Sequence, residues 1–363
     1  MKTAKTSWLK AKGPYSLMEK THPLLTIAIP TYNRAFYLKR LLDCLAKEIS
    51  PQLEKHIEVI VCNNDSSDAT NQVLIQSTLT RSIIQTVTNE RNVGSDVNIA
   101  QCFKLARGQY VLILGDDDMP LDGALSTLVS LLKKKQYGVL YLRTFGFNKN
   151  MNEECPKIKP GHIEYSSSGE FLTAVGQNLC SISACVINKH LIADIEPESF
   201  CGENLVQVHL CIIAATRASL NLRSTNYMMG LQRNNSGGYE FCQVFVTNFF
   251  KILETYLSKE LTTRTITRIE KKFLVGFYPY YILRALWTES WDMKKTLKTF
   301  TSKFSNRVLF WIVIWPALVS PRYIAIPYIG VWTVFGRLLY GDFKRGISYL
   351  VSKISRKISR ASP

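Results

Sequence analysis

Short apolar runs alternate with amphipathic stretches through the first half of this chain. Residues 24–30 (Leu-Leu-Thr-Ile-Ala-Ile-Pro) read as a buried strand, and Leu38, Leu41, Leu42 and Leu45 follow at helical spacing. Residues 57–62 predict a second strand that runs into the polar cluster 63–68. A helix over 70–79, a strand over 83–88, a helix over 96–105 and a strand over 110–114 come next. Beyond them, 137–143 reads as a strand, 169–176 as a helix, 181–187 as an apolar strand and 203–216 as a helix. Strands and helices alternating at this spacing predict a parallel sheet covered by helices. Ligands of such sheets sit beyond the carboxyl ends of the strands. Three polar clusters fall at that edge: the turn after Thr31, residues 63–68 and residues 116–118.

From about residue 241 the pattern changes to aromatics mixed with Lys and Arg, which predicts an all-helical region. Residues 308–319 and 323–340 are strongly apolar and carry Trp311, Trp315, Tyr323, Tyr328, Trp332 and Tyr340. Neither is a clean bilayer crossing of ~20 residues, because Pro316, Pro321, Arg322 and Pro327 interrupt them. Aromatic, apolar helices flanked by cations suit the lipid headgroup boundary. After Gly341 come Lys344, Arg345, Lys353, Arg356, Lys357 and Arg360 against Asp342 alone, a composition that favours anionic lipid. The plainer alternative is a soluble core helix pair with a solvated basic end; a bent re-entrant pair is a third. The expected organisation is a basic arm (1–20), an α/β domain (21–235), a helical region (236–305) and an apolar, basic, membrane-associated tail (306–363).

The net charge of +17 sharpens this picture by calling for an anionic partner. No zinc-finger spacing or RNA-recognition signature accompanies it, so nucleic acid is set aside in favour of phosphorylated substrates and anionic lipid. The nine cysteines include no Cys-x-x-Cys pair and read as reduced thiols of a cytosolic protein. The basic, polar first twenty residues lack the apolar core of a secretory signal.

Candidate chemistry centres on residues 112–118, Leu-Ile-Leu-Gly-Asp-Asp-Asp. Stacked carboxylates at a strand end repel one another unless a cation relieves them, and hard divalent metals suit carboxylate oxygen. A solvated acidic turn before a helix near Leu121 is the bland alternative. The segment 27–34 (Ile-Ala-Ile-Pro-Thr-Tyr-Asn-Arg) is a strand and turn whose Thr31 and Asn33 can meet a ribose or base, or can simply be turn formers. In the cluster 63–70, Asn64 can read the edge of a base, while Asp68 suits a helix cap. In the loop 89–94, Arg91 can face phosphates and Gly94 permits a left-handed turn. Residues 200–210 place Glu203, Asn204 and Gln207 at a predicted helix start, where Glu203 is either dipole complementation or a general base. His209 reads as a core histidine.

Taken in order and spacing, 29–34, 63–70, 89–94, Ala-Arg-Gly-Gln-Tyr at 106–110 and 114–120 resemble family 2 glycosyltransferases over about residues 24–215. The Gly-Asp-Asp-Asp-x-Pro form and the Glu-Asn-Leu-Val-Gln stretch are similar to abequosyltransferase-like enzymes of O-antigen assembly. The resemblance implies a GT-A fold, a Rossmann-like, mostly parallel sheet flanked by helices. It implies Mg²⁺ or Mn²⁺ on Asp116 and Asp118, with Asp117 between them. It implies a nucleotide-sugar donor held by Pro30, Thr31, Asn33, Arg34, Asn64, Arg91, Gly94, Asp116 and Asp117. The family's base-binding acidic position falls on Asn64, which would tolerate cytosine. Its catalytic Glu-Asp pair falls on Glu203 and Asn204, so the usual base Asp is missing and Glu203 becomes the candidate base. The implied function is an inverting glycosyltransferase acting on a polyprenyl-diphosphate-linked glycan at the cytoplasmic face of a bacterial inner membrane, bound peripherally. Two alternatives stand beside it. One is a nucleotidyltransferase, which normally needs a Gly-rich loop that 30–34 lacks. The other is a non-catalytic GT-A membrane scaffold.

Overall fold

The computed structural model describes residues 22–77, 79, 83–157, 159–233 and 238–340. The basic arm at 1–20 and the polybasic residues after Gly341 lie outside the described residues. Nine strands form one sheet: β1 (Leu25–Thr31), β2 (Ile57–Asn63), β3 (Ile84–Thr88), β4 (Tyr110–Ile113), β5 (Met119–Pro120), β6 (Val139–Phe147), β7 (His162–Tyr165), β8 (Cys185–Asn188) and β9 (Asn221–Gln232). Their order is β3-β2-β1-β4-β8-β6-β9-β5, with β7 also paired to β9.

The first four strands are parallel, as expected. The other half is mixed, with β6 and β9 parallel. β8 runs antiparallel to both β4 and β6, and β5 and β7 run antiparallel to β9. The expected mostly parallel sheet is therefore mixed. A buried strand reads the same in either direction, so an apolar run such as 181–187 carries no sign of its polarity. That run also begins as a short 3-10 turn (Ile182–Ala184) before β8 starts. Strands β7 and β9 lie where no strand is predicted. In β9 the signal is hidden because buried Asn221 spends its side chain on backbone, accepting from the Val139 N–H at 2.9 Å and donating to the Ala215 carbonyl at 2.9 Å.

Each face of the sheet has its own core. Leu25, Ile27 and Ile29 of β1 point one way by strand alternation. They meet Leu38, Leu41, Leu42 and Leu45 of the helix Ala35–Glu48, an i, i+3, i+4, i+7 stripe, and Leu125, Leu128 and Leu132 of the helix Ala124–Lys134. Full burial of each such leucine stabilises by about 1.5–3 kcal/mol. Ala28, Ile60 and Cys62 face the other way, onto the helices Ser95–Leu105 and Val206–Arg217. The latter helix starts three residues after Glu203, not at it, so Glu203 and Asn204 lie on a turn.

The second core continues without a break into the C-terminal helices, through Phe249, Phe273, Tyr278, Phe304, Phe310 and Ile329. Two of these helices carry a π-helical turn just before a proline: Phe273–Phe277 before Pro279, and Phe310–Ile314 before Pro316. Proline lacks the N–H and clashes with the carbonyl four residues back, so a widened turn lets the helix continue. In the helix Arg322–Leu339, Ala325, Ile329, Thr333 and Gly336 are buried. Its opposite face exposes Tyr323, Val331, Phe335 and Leu339, and Val308, Trp311 and Trp315 are exposed nearby in sequence. Among the described residues no helix is long and apolar enough to cross a membrane.

Gly336 sets the closest approach in this region. A Cβ there would lie 2.1 Å from the Val275 carbonyl oxygen and 3.0 Å from Gly276 Cα, both backbone atoms. Gly336→Ala is expected to force the helices apart, cost about 1–3 kcal/mol and lower the melting temperature by several degrees. An unchanged melt would contradict this crossing.

Candidate active site

β4 lies between β1 and β8 at the middle of the sheet, and its carboxyl end delivers Gly115 and the three aspartates. Gly115 keeps this turn uncrowded: a Cβ would sit 3.1 Å from Asp117 Oδ1 and 3.2 Å from Asp118 Oδ2, tighter than usual. The Gly115 N–H donates to Ser183 Oγ at 2.9 Å, and Ser183 in turn donates to Asp118 Oδ2 at 2.6 Å. Asp118 also accepts the Gln232 N–H at 3.1 Å, from the last residue of β9. Asp116 accepts from Thr31 Oγ1 at 2.7 Å, at the end of β1. Arg34 lies 3.8 Å from Asp116 and 3.5 Å from Asp117.

Asp116 and Asp118 are only 6% and 9% exposed. Burial pushes the Asp116 carboxyl up to about 7, with Asp117 adding to the rise and Thr31 and Arg34 opposing it. Burial, then the charges of Asp117 and Asp116, push Asp118 up to about 8, against the bonds from Ser183 and Gln232. The ionised forms of these carboxyls are therefore under-compensated at the strand tip, and near neutral pH both tend to hold protons unless a cation relieves them. All-oxygen donors in that state fit a hard divalent cation. Among the described residues no three His, Cys, Asp or Glu side chains close around one point. A divalent cation held here by one or two carboxylates would need other oxygens, such as those of a phosphate, to complete its shell.

Next to this tip, Asn33 is left-handed (φ 53) and behaves as a turn former. Its N–H donates to Ser66 Oγ at 2.8 Å, and its Oδ1 accepts the Ser67 N–H at 2.8 Å. Asp68 caps two helices at once, accepting the N–H groups of Ala35 and Thr70 at 3.0 Å each. The helix that Thr70 begins stops at Ile75, short of the expected residue 79. Asn64 is buried and spends its whole side chain on the loop 89–94. Its Oδ1 accepts from Asn89 Nδ2 and the Val93 N–H at 3.0 Å each. Its Nδ2 donates to Asn92 Oδ1 at 2.8 Å and the Gly94 carbonyl at 3.4 Å. This leaves no free donor or acceptor on Asn64 for a base edge. Arg91 is exposed on that loop, and Gly94 has φ +88.

Glu203 accepts from Lys251 Nζ at 2.8 Å and pairs with His209 Nε2 at 3.2 Å; His209 Nδ1 meets the Tyr256 hydroxyl at 2.8 Å. Burial alone would raise Glu203, but Lys251 and His209 hold its carboxyl below the usual range. His209 stacks on Phe200 with ring centroids 4.2 Å apart, as a core histidine. Neighbouring Asn204 is left-handed (φ 58) and takes a hydrogen bond from Ser95 Oγ at 3.3 Å.

The structure thus gathers Thr31, Arg34, Asp116, Asp117 and Asp118 at the carboxyl end of β4, with Thr31 and Arg34 in contact with the aspartates. It sets Asn33, Asn64 and the loop of Arg91 and Gly94 along the adjacent strand ends, and Pro30 inside β1. Sequence reasoning missed Ser183, Gln232 and Asp96. A serine that is fully buried within an apolar run was the one available signal for Ser183.

Residues 26–185 match the model of glycosyl transferase family 2. Over 151 residues the chain is 32% identical to the GalNAc(5)-diNAcBac-PP-undecaprenol beta-1,3-glucosyltransferase of Campylobacter jejuni, covering 41% of this chain and 44% of that protein. Over 111 residues it is 32% identical to abequosyltransferase RfbV of Salmonella typhimurium, covering 30% and 32%. The chain thus spans less than half the length of these curated relatives. Among solved structures, S. aureus TarS 1-349 in complex with UDP-GlcNAc superposes with a TM-score of 0.59 at 17% identity, over 86% of this chain and 91% of that one. The mannosyltransferase PcManGT of Pyrobaculum calidifontis in complex with GDP-Man and Mn²⁺ gives 0.50 at 15% identity, over 90% of each. At such identities these two likenesses are of fold.

The raised carboxyls give a signed expectation. Folded Asp116 and Asp118 hold their protons more tightly than the unfolded chain does. Their contribution to stability is full below the ordinary carboxylate range and is lost as pH rises through about 7 and 8. Metal-free protein should therefore melt lower at about pH 8.5 than at about pH 6, and Asp118→Asn should flatten that slope. Comparison with the variant separates this effect from buried Lys272, whose pKa, lowered to about 8, acts in the opposite sense. A slope identical in the variant would contradict the burial of Asp118.

Proposed function

Because residues 26–185 are a family 2 glycosyltransferase domain, we propose that the chain moves a sugar from a nucleotide-diphosphate donor to the hydroxyl of a polyprenyl-diphosphate-linked glycan, with inversion at the anomeric carbon. The observation that carries this reading is the convergence of two buried, under-neutralised carboxylates with Arg34 at the tip of the central strand. A divalent cation, Mg²⁺ or Mn²⁺, held by Asp116 and Asp118 would supply neutralising charge for the departing nucleoside diphosphate.

The chain's own residues do the rest. Thr31 and Ser183 fix the orientation of the two carboxylates. Arg34 keeps a permanent positive charge beside them. Asn64 acts on the donor indirectly, by holding the loop 89–94 so that Arg91 and the Gly94 backbone face it. Glu203, on the turn before the helix Val206–Arg217, acts as general base once its pairing with Lys251 opens. The acceptor class is supported by the Campylobacter relative, whose name states an undecaprenol-linked substrate. The relative from Salmonella supports a place in O-antigen synthesis.

The exposed apolar face around Tyr323, Val331 and Phe335, with Arg322 and Arg337 on the same helix, fits the headgroup region of a membrane. It would hold the enzyme peripherally at the cytoplasmic leaflet, where a lipid-linked acceptor resides.

Two experiments test the proposal. Glu203→Gln should cut turnover by about 100-fold or more while leaving donor affinity intact; near-normal turnover would remove Glu203 from the chemistry. In vesicle co-sedimentation, the protein should bind vesicles containing anionic lipid, and a Val331→Glu, Phe335→Glu double variant should bind them at least about tenfold less. Equal binding by the variant would remove this face from membrane contact.

A further inference from the structure

The turn that carries Glu203 is held on its sheet-domain side by a carboxylate from the helix that follows the loop 89–94. Asp96 lies in the first turn of the helix Ser95–Leu105, directly after the loop that Asn64 grips. It is buried, and its Oδ2 accepts the N–H groups of Gly202 at 2.8 Å and Asn204 at 2.7 Å. Gly202 has φ +110 and Asn204 φ 58, so both residues that flank Glu203 are left-handed. For Asn204 that conformation has a steric cost, which charge-assisted hydrogen bonds can offset. Ser95 Oγ adds a second contact from the same helix start to Asn204.

We infer that Asp96 is a positioning residue for the reaction: its carboxylate fixes the backbone of Gly202–Asn204 and thereby places Glu203 relative to the donor loop. The inference rests on the transferase reading above. It also accounts for Asn204. An aspartate there would bring a second carboxylate beside Asp96, whose oxygen already lies 2.7 Å from that residue's own nitrogen. Asp96 is buried and residue 204 is exposed beside it, and a second negative charge there would repel the first. Asparagine removes the repulsion and tolerates the left-handed backbone. The carboxylate kept at 96 and the amide found at 204 are one arrangement.

The test compares Asp96→Ala with Asp96→Asn. Alanine removes both hydrogen bonds. Asparagine can keep both, because they run to a single oxygen while Oδ1 has no partner among the described residues. Three quantities are measured: calorimetric binding of UDP-, GDP-, CDP- and dTDP-hexoses with Mn²⁺, release of nucleoside diphosphate from the donor that binds, and hydrogen–deuterium exchange over residues 200–206. Asp96→Ala should keep its donor affinity, lose about 100-fold in turnover and exchange faster over 200–206. Asp96→Asn should recover turnover to within about tenfold of the unsubstituted enzyme.

Near-normal turnover or unchanged exchange in the alanine variant would overturn the inference. So would a loss of donor affinity, or an asparagine variant as inactive as the alanine one, which would make the charge itself part of the chemistry. If the unsubstituted enzyme binds and cleaves no donor, the transferase reading fails separately. Exchange over 200–206 in the two variants then decides for or against the hold of Asp96 on the turn.

Discussion

Burying Asp116 and Asp118 at the tip of β4 is the constraint on which the arrangement turns. Isolated carboxylates out of water are costly, and these two stand one residue apart. Much of the local structure offsets that cost. Thr31 ends β1 one bond from Asp116, Ser183 ties β8 to Asp118, and the last residue of β9 donates its backbone N–H to the same side chain. Gly115 leaves room for the carboxylate oxygens. The strands that surround β4 are thus joined at their ends by the group that would meet the donor, and what remains unneutralised is an oxygen-rich site fit for a cation.

How much of this was legible in the chain depended on the kind of signal. The parallel half was readable because its strands are apolar runs bounded by turn residues, with helices between them. The aspartate cluster and its partners Thr31 and Arg34 were readable because three polar clusters fall at one sheet edge. Strand polarity in the second half was not, since Cys185–Asn188 looks alike in both directions. β9 was hidden by Asn221, Arg223, Ser224 and Asn226, polar residues in a strand with partly buried partners. Contacts across the sequence, such as Asp96 with Gly202 and Asn204, leave no local pattern at all. The position of Glu203 before rather than within its helix was likewise invisible, because the helix and the turn share the same apolar continuation.

The two halves of the chain also meet at the site. Lys251 pairs with Glu203, and Asn248 Nδ2 donates to the Glu203 carbonyl at 3.0 Å. Both come from the helical region that shares a core with the sheet and carries the exposed apolar face. The turn of Glu203 is therefore gripped by the sheet domain through Asp96 and by the helical region through Lys251 and Asn248. The exposed apolar face and the turn of Glu203 therefore belong to one packed unit.

The most direct test of the central claim is calorimetry of Mn²⁺ binding in the presence of nucleoside diphosphate, in buffers with different heats of ionisation. Carboxyls raised to about 7 and 8 must give up protons to bind a metal. Net proton release is expected near neutral pH, falling away above about pH 9 and reduced in Asp118→Asn. Binding without proton release, or unchanged in the variant, would show that the strand tip is not the metal and diphosphate site.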